Sequence, residues 1–239
     1  MIANPHRFVV LAITLLFLAI PSRSLAHRDD YLDETLVYLT LGLDELEPEY
    51  WFDYGYLSDE NLYFIQHNLA LEYGVTERWM IDGRTTFTSV RGRDTRFQSG
   101  RFETRYRFAD EGTLPIDLAV SGEVNAERRE DGSEQYGIEP RLIFSKDFGE
   151  LNLTVNMAGE IPLNAGEASL NPAFGFRYNA TNLIRLGSEI KYSTDDRRGA
   201  IVPQVWFTLP HEITIKVGTS IGLDRSRERF GRLAIELEL

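Results

Sequence analysis

From residue 46 onward the chain alternates apolar and polar side chains in stretches of about ten, separated by turn formers. A period of two marks strands whose faces meet different surroundings. The first stretch sets Leu46, Pro48, Tyr50, Phe52, Tyr54 and Tyr56 against Glu47, Glu49, Trp51 and Asp53. The second sets Leu69, Leu71, Tyr73 and Val75 against Asn68, Ala70 and Glu72; the third sets Trp79, Ile81, Gly83, Thr85 and Phe87 against Met80, Asp82, Arg84 and Thr86. Phe102, Thr104, Tyr106 and Phe108 then oppose Arg101, Glu103, Arg105 and Arg107, while Ile116, Leu118, Val120 and Val124 oppose Asp117, Ser121, Glu123 and Asn125. The same reading continues through 136–145, 151–160, 170–178, 183–192, 201–209 and 213–222 and ends with 230–239.

These stretches predict an all-β fold of roughly twelve antiparallel strands, the even number that returns both chain ends to one side of a barrel. Compact links at 74–78, 146–150, 179–182 and 209–212 alternate with more charged connections at 91–96, 126–134 and 195–199. Short turns at one end and polar loops at the other fit a closed transmembrane β-barrel over residues 46–239. Alternation alone does not say which face is inside. Packing the charged face against a second protein layer would strand many Arg and Glu groups, whereas a wet lumen solvates them and lipid covers the apolar side. Tyr73, Trp79, Phe108, Phe144 and Tyr178 toward the turns, and Tyr54, Tyr56, Phe87, Tyr136 and Tyr192 toward the loops, suit two interfacial girdles. Pro140, Pro172 and Pro203 fall within strands and predict bulges or ladder interruptions, since proline has no amide hydrogen to give.

Upstream of the strands, Arg7, the apolar run Phe8 to Ile20 and the small-residue end Ser24-Leu25-Ala26 read as a cleaved export signal over residues 1–26. Residues 27–45 then form an N-terminal periplasmic or plug segment. Within it, Leu32, Leu36, Leu39 and Leu43 fit a helical face, while Thr35, Val37, Leu39 and Leu41 fit a strand. A helix, a lumen plug and an extra strand all remain open.

The formal charge of -12 makes nucleic acid a poor partner. The absence of cysteine removes disulfides, thiolate metal sites, thiol nucleophiles and an acylated lipoprotein anchor. Candidate chemistry therefore lies in the charges expected to line the lumen: Glu49, Asp53, Glu72, Arg84, Arg101, Glu103, Arg105, Arg107, Asp117, Glu123, Glu139, Arg141, Arg177, Arg185, Glu189, Lys191, Lys216, Arg232 and Glu236. They can form a selective constriction or a structural network filling a narrow barrel. Arginine dominates the basic set, which suits planar, multidentate pairing with carboxylates. No catalytic residues, metal ligands or cofactor site are read. His67 has no nucleophile motif around it, His211 sits beside Pro210 in a turn, and the acid spacing matches no calcium loop.

The stretches Asn68-Leu-Ala-Leu-Glu-Tyr-Gly-Val-Thr-Glu-Arg-Trp79, Phe102-Glu-Thr-Arg-Tyr-Arg-Phe108 and Asn171-Pro-Ala-Phe-Gly-Phe-Arg-Tyr178 resemble the outer-membrane proteins of the MetA-pathway-of-phenol-degradation (MetA-like) family. That resemblance spans most of the chain beyond the signal and implies a barrel moving aromatic or other small molecules. The chain departs from many outer-membrane barrels in ending on Leu239 rather than an aromatic residue. Together these readings predict a non-enzymatic barrel in a bacterial outer membrane, in contact with its lipids and assembly machinery. The expected role is a narrow channel or transporter for a small solute. A structural, binding or envelope-sensing barrel is the alternative, and an outer-membrane hydrolase a weaker one.

Overall fold

The computed structural model describes residues 30–33, 35–57, 62–90, 94–129, 132–164, 166–195, 197–223 and 229–239. The export-signal reading of residues 1–26 lies outside them. The strands are β1 (Leu46–Leu57), β2 (Leu62–Thr76), β3 (Trp79–Val90), β4 (Arg96–Arg107), β5 (Asp117–Arg128), β6 (Glu134–Phe148) and β7 (Leu151–Pro162). They continue as β8 (Ser169–Asn179), β9 (Ile184–Ser193), β10 (Arg198–Leu209), β11 (Ile213–Thr219), β12 (Ile221–Gly222) and β13 (Arg229–Leu237). Among the described residues there is no helix.

Neighbours pair antiparallel in sequence order. Both β11 and β12 pair with β10, forming one passage broken at Ser220. The β13 strand pairs with β11 on one side and with β1 on the other, where Tyr50 stands opposite Ile235, so the sheet closes. With β11 and β12 counted as one passage, the molecule is a closed antiparallel barrel of twelve strands. Closure pairs every strand on both sides and removes the free edges that would otherwise invite aggregation.

The two faces separate as the alternation requires. Leu69, Leu71, Phe102, Leu142, Phe174, Leu186 and Leu233 are exposed on the outside. Glu49, Asp53, Glu72, Arg105, Arg177, Glu189 and Lys216 are buried within the ring. Pro140, Pro172 and Pro203 each interrupt one ladder on the side facing the next strand. Pairing of β6 with β7 lapses between Ile138 and Arg141, on either side of Pro140, with no change of register. Pairing of β8 with β9 starts only at Ala173, after Pro172. Pairing of β10 with the following passage lapses at Val202 and Pro203.

The connections at one end are tight. His211 and Glu212 take φ of 67° and 56° and Gly149 takes 63°, while the 108–116 connection is longer. Residues 30–33 and 35–43 form neither helix nor strand. They enter beside the tight turns, where the Asp44 amide donates to the Gly74 carbonyl at 2.9 Å, and run up inside the barrel. Tyr31, Leu32, Val37, Tyr38 and Leu41 are fully buried there. The described residues of this segment follow neither the helical nor the strand period, and their buried apolar side chains lie among those of the barrel interior, as where Tyr31 meets Trp206.

Candidate functional site

The inward faces of the strands hold the inner segment through side chains distant in sequence. On β9, Glu189 accepts from the Asp33 amide at 2.8 Å and from the Thr35 amide at 2.9 Å. The Gln204 amide group donates to Glu189 at 3.0 Å, and its oxygen accepts from the Leu32 amide at 2.7 Å. Asn156 of β7 accepts from the Leu36 amide and donates to the Leu36 carbonyl, at 2.8 and 2.9 Å. A segment without regular structure thereby satisfies its buried peptide groups, which would otherwise cost about 1–3 kcal/mol each.

Cations supply the second set of ties. Arg105 of β4 donates to both Asp30 oxygens at 3.0 and 2.7 Å, to the Val37 and Leu39 carbonyls, and to Glu103. Arg232 of β13 forks onto Asp53 at 2.6 and 2.7 Å and donates to the Leu32 carbonyl. Lys216 donates to the Asp30 carbonyl at 2.7 Å and pairs with Glu236, while Lys191 pairs with Asp33. Burial raises the Asp30 carboxyl, but the Arg105 charge and hydrogen bonds outweigh it and hold the group below its usual range.

Aromatic rings complete the packing. Tyr31 meets Trp206 edge-on at 5.7 Å, with the Arg177 guanidinium 5.9 Å from the Tyr31 ring. Burial pushes the Tyr31 phenol well above its ordinary range. Trp51 of β1 lies between Arg84 at 3.7 Å and Arg232 at 4.5 Å, a cation–π stack inside the wall. Gly175 and Gly218 leave room for the segment. A Cβ at Gly175 would come within 2.5 Å of the Tyr31 ring, and one at Gly218 within 2.4 Å of Leu32.

Above the segment, toward the loop ends of the strands, lies a polar vestibule of about 320 Å³. Arg84, Arg101, Glu123, Glu139, Arg141, Lys191 and Arg232 line it together with Gln66, Gln98, Asn125 and Asn171, and Asp33 reaches it from the inner segment. Arg101 is half-exposed at this mouth, 4.0 Å from Glu123; Arg141 pairs with Glu139 and donates to Asn156. Other charges lie elsewhere on the wall. Arg107 donates to the Glu77 carbonyl in the β2–β3 turn, Asp117 accepts from the Gly112 amide, and Arg185 donates to Thr208 at 2.8 Å. Glu49 accepts from Arg84 at 3.0 Å.

Residue-type reasoning passed over the neutral amides Asn152, Asn156 and Gln204 and over Asp33 within the segment, and it took Asp30 for a solvated surface charge where the structure pairs it with Arg105. The available signal was an inward run of neutral polar side chains on β7 (Asn152, Thr154 and Asn156), which suits hydrogen bonding to a backbone better than solvation of ions. His67 lies on the outward face of β2, where its Nδ1 is 2.7 Å from the Tyr50 hydroxyl and its ring is beside Phe52, remote from the lumen.

The fold and its interior define a small closed barrel with a charged lumen and an inserted N-terminal segment. It is similar to the KdgM porin, with a TM-score of 0.60 at 10% identity over 80% of this chain and 98% of that one. An outer-membrane channel from Pseudomonas putida F1 gives 0.59 at 12% identity over 89% and 100%, and the NanC porin 0.58 at 11% over 80% and 100%. No protein-family profile and no curated protein matches the chain.

Proposed function

We propose that the protein is a narrow outer-membrane channel for small polar solutes, with a lumen that the inner segment closes in the described state. The carrying observation is the vestibule. A cavity of about 320 Å³ lined by both signs of charge opens at the loop end and is floored by Asp33 of the inner segment. A barrel wrapped in lipid has no need of such an interior for stability alone, because charges there must be kept paired or wet. Its barrel resembles those of structures described as outer-membrane channels and porins. The MetA-like resemblance adds aromatic solutes as the finer reading, although the polar lining favours solutes that carry hydrogen-bonding groups. KdgM has been solved with oligogalacturonate, and Arg101, Arg141, Lys191 and Arg232 give this vestibule groups able to meet a comparable acidic sugar.

Planar-bilayer recording tests the reading. The full chain should give small, infrequent steps, and a chain lacking residues 30–43 should give steps several-fold larger. The filled lumen favours a second reading, a non-transporting barrel, which takes over if the deleted form inserts as a folded barrel and still passes no current.

A further inference from the structure

The inner segment brings a carboxylate of its own into the vestibule. The Tyr31 amide donates to the Thr35 carbonyl at 3.0 Å, closing a short loop that carries Asp33. Asp33 lies on the vestibule floor, where its side chain pairs with Lys191 of β9 and stands 3.7 Å from Arg232 of β13. The segment's other ion pair is placed differently. Asp30 is enclosed by Arg105 and the Val37 amide, whereas Asp33 meets its cations at the edge of the cavity.

Both cations are positioned by the wall and not by Asp33. Arg232 forks onto Asp53 at 2.6 and 2.7 Å and lies 4.5 Å from the Trp51 ring. Its Nη1 donates to the Leu32 carbonyl and faces Asp33, so both of those contacts come from the segment. Lys191 stands in register between Ala173 and Ala200, neighbours too small to cover it and without charge. Its side chain is 20% exposed, within reach of a molecule in the vestibule. Gln66, Gln98, Asn125 and Asn171 around the same cavity offer donors and acceptors to hydroxyl groups. Exchanging one carboxylate for another here keeps the number of buried charges constant, so the desolvation that offsets a buried ion pair largely cancels.

We infer that Lys191 and Arg232 form a seat for the carboxylate of a hydroxylated acidic solute, and that Asp33 holds this seat until the solute takes it. Asp33 and the solute compete, so each weakens the other's hold by the same factor. Entry of the solute loosens the vestibule end of the segment, while Arg105 and Asn156 keep the remainder anchored. The inference deepens the channel reading and rests on it in one respect, that small solutes reach the vestibule.

The experiment titrates the full chain, folded in detergent micelles, by calorimetry. Glucuronate is the probe, and glucose, with a hydroxymethyl group in place of the carboxylate, is its control. Saturable binding of glucuronate is expected, with glucose weaker by about tenfold or more. Lys191→Met should weaken glucuronate by about tenfold, and Asp33→Asn should tighten it by about the same factor, because the competing charge is gone. Glu123→Gln removes a vestibule carboxylate that meets Arg101 instead. It should change the affinity by less than about twofold, since charges out of contact are screened by salt. Asp33 belongs to the segment and not to the sheet, so its variant decides even if Lys191→Met fails to fold. The inference is overturned if glucuronate does not bind, or binds no better than glucose. It is overturned equally if folded Lys191→Met binds like the parent, if Asp33→Asn binds no tighter, or if Glu123→Gln gains as much as Asp33→Asn. Conductance without glucuronate binding sinks the seat and spares the channel, whereas binding with the expected variant effects in a barrel that never conducts does the reverse.

Discussion

At the scale of single residues the lumen works by multidentate arginines. Arg105 satisfies two carboxylates and two carbonyls at once, a geometry that lysine, with a compact ammonium, does not reproduce. Replacing Arg105 with Met leaves Asp30 and Glu103 as buried carboxylates without that partner. Removing one member of such a pair costs about 3–5 kcal/mol. The expected outcome is a barrel that still folds but whose 30–43 segment becomes accessible to limited proteolysis; a segment as protected as in the parent would refute the anchor. Acid should do the same reversibly. Because Asp30 is held below its ordinary value of 3.8, its contribution is complete above that pH and is lost as the pH falls through its lower, paired value. Near-UV circular dichroism from the Tyr31–Trp206 contact should therefore stay level from pH 7 to about 5 and decline only below about 4. Asp30→Asn should lack that step.

At the scale of elements, the inner segment and the barrel wall are fitted to each other, and glycine records the fit. At Gly175 on β8 and Gly218 on β11, side chains would occupy the space of Tyr31 and Leu32. Gly175→Val with Gly218→Val should favour the strands intrinsically while expelling the segment. Larger bilayer conductance is expected, together with an unchanged heat-modifiable band on SDS gels; a sealed, folded double variant would refute the fit. Strands were readable because period-two alternation between charge and hydrocarbon is local. The prolines at 140, 172 and 203 were readable for the same reason, since a missing amide hydrogen interrupts a ladder wherever it falls. The course of residues 30–43 was not readable. Its leucines satisfy two periods at once, and its hydrogen-bond partners, Asn156, Glu189 and Gln204, lie more than a hundred residues away. The cross-strand juxtaposition of Glu47, Glu72 and Asp82 was equally hidden, because these acids become neighbours only once the hairpin registers are set.

At the scale of the whole molecule, everything rests on what covers the outside. Leucine, phenylalanine and tyrosine stay exposed around the ring while charged side chains such as Asp53, Arg105, Arg177, Glu189 and Lys216 are buried inside it, the reverse of a barrel folded for water. Hydrocarbon is the medium that reconciles that surface with a buried charged interior. Leu142, 46% exposed and near the middle of β6, stands between Val120 and Met157 on this outer belt. Leu142→Arg should destabilise the barrel by about 2–4 kcal/mol in phospholipid bilayers, the cost of placing a guanidinium near the midplane. Arg185 on the inner wall supplies the contrast, since Arg185→Leu removes a charge without touching lipid. Reversible denaturant unfolding from vesicles measures both. In bilayers of shorter acyl chains the Leu142→Arg penalty should shrink, as the substituted position moves closer to the interface. A penalty near zero that ignores bilayer thickness would mean that lipid does not cover this face.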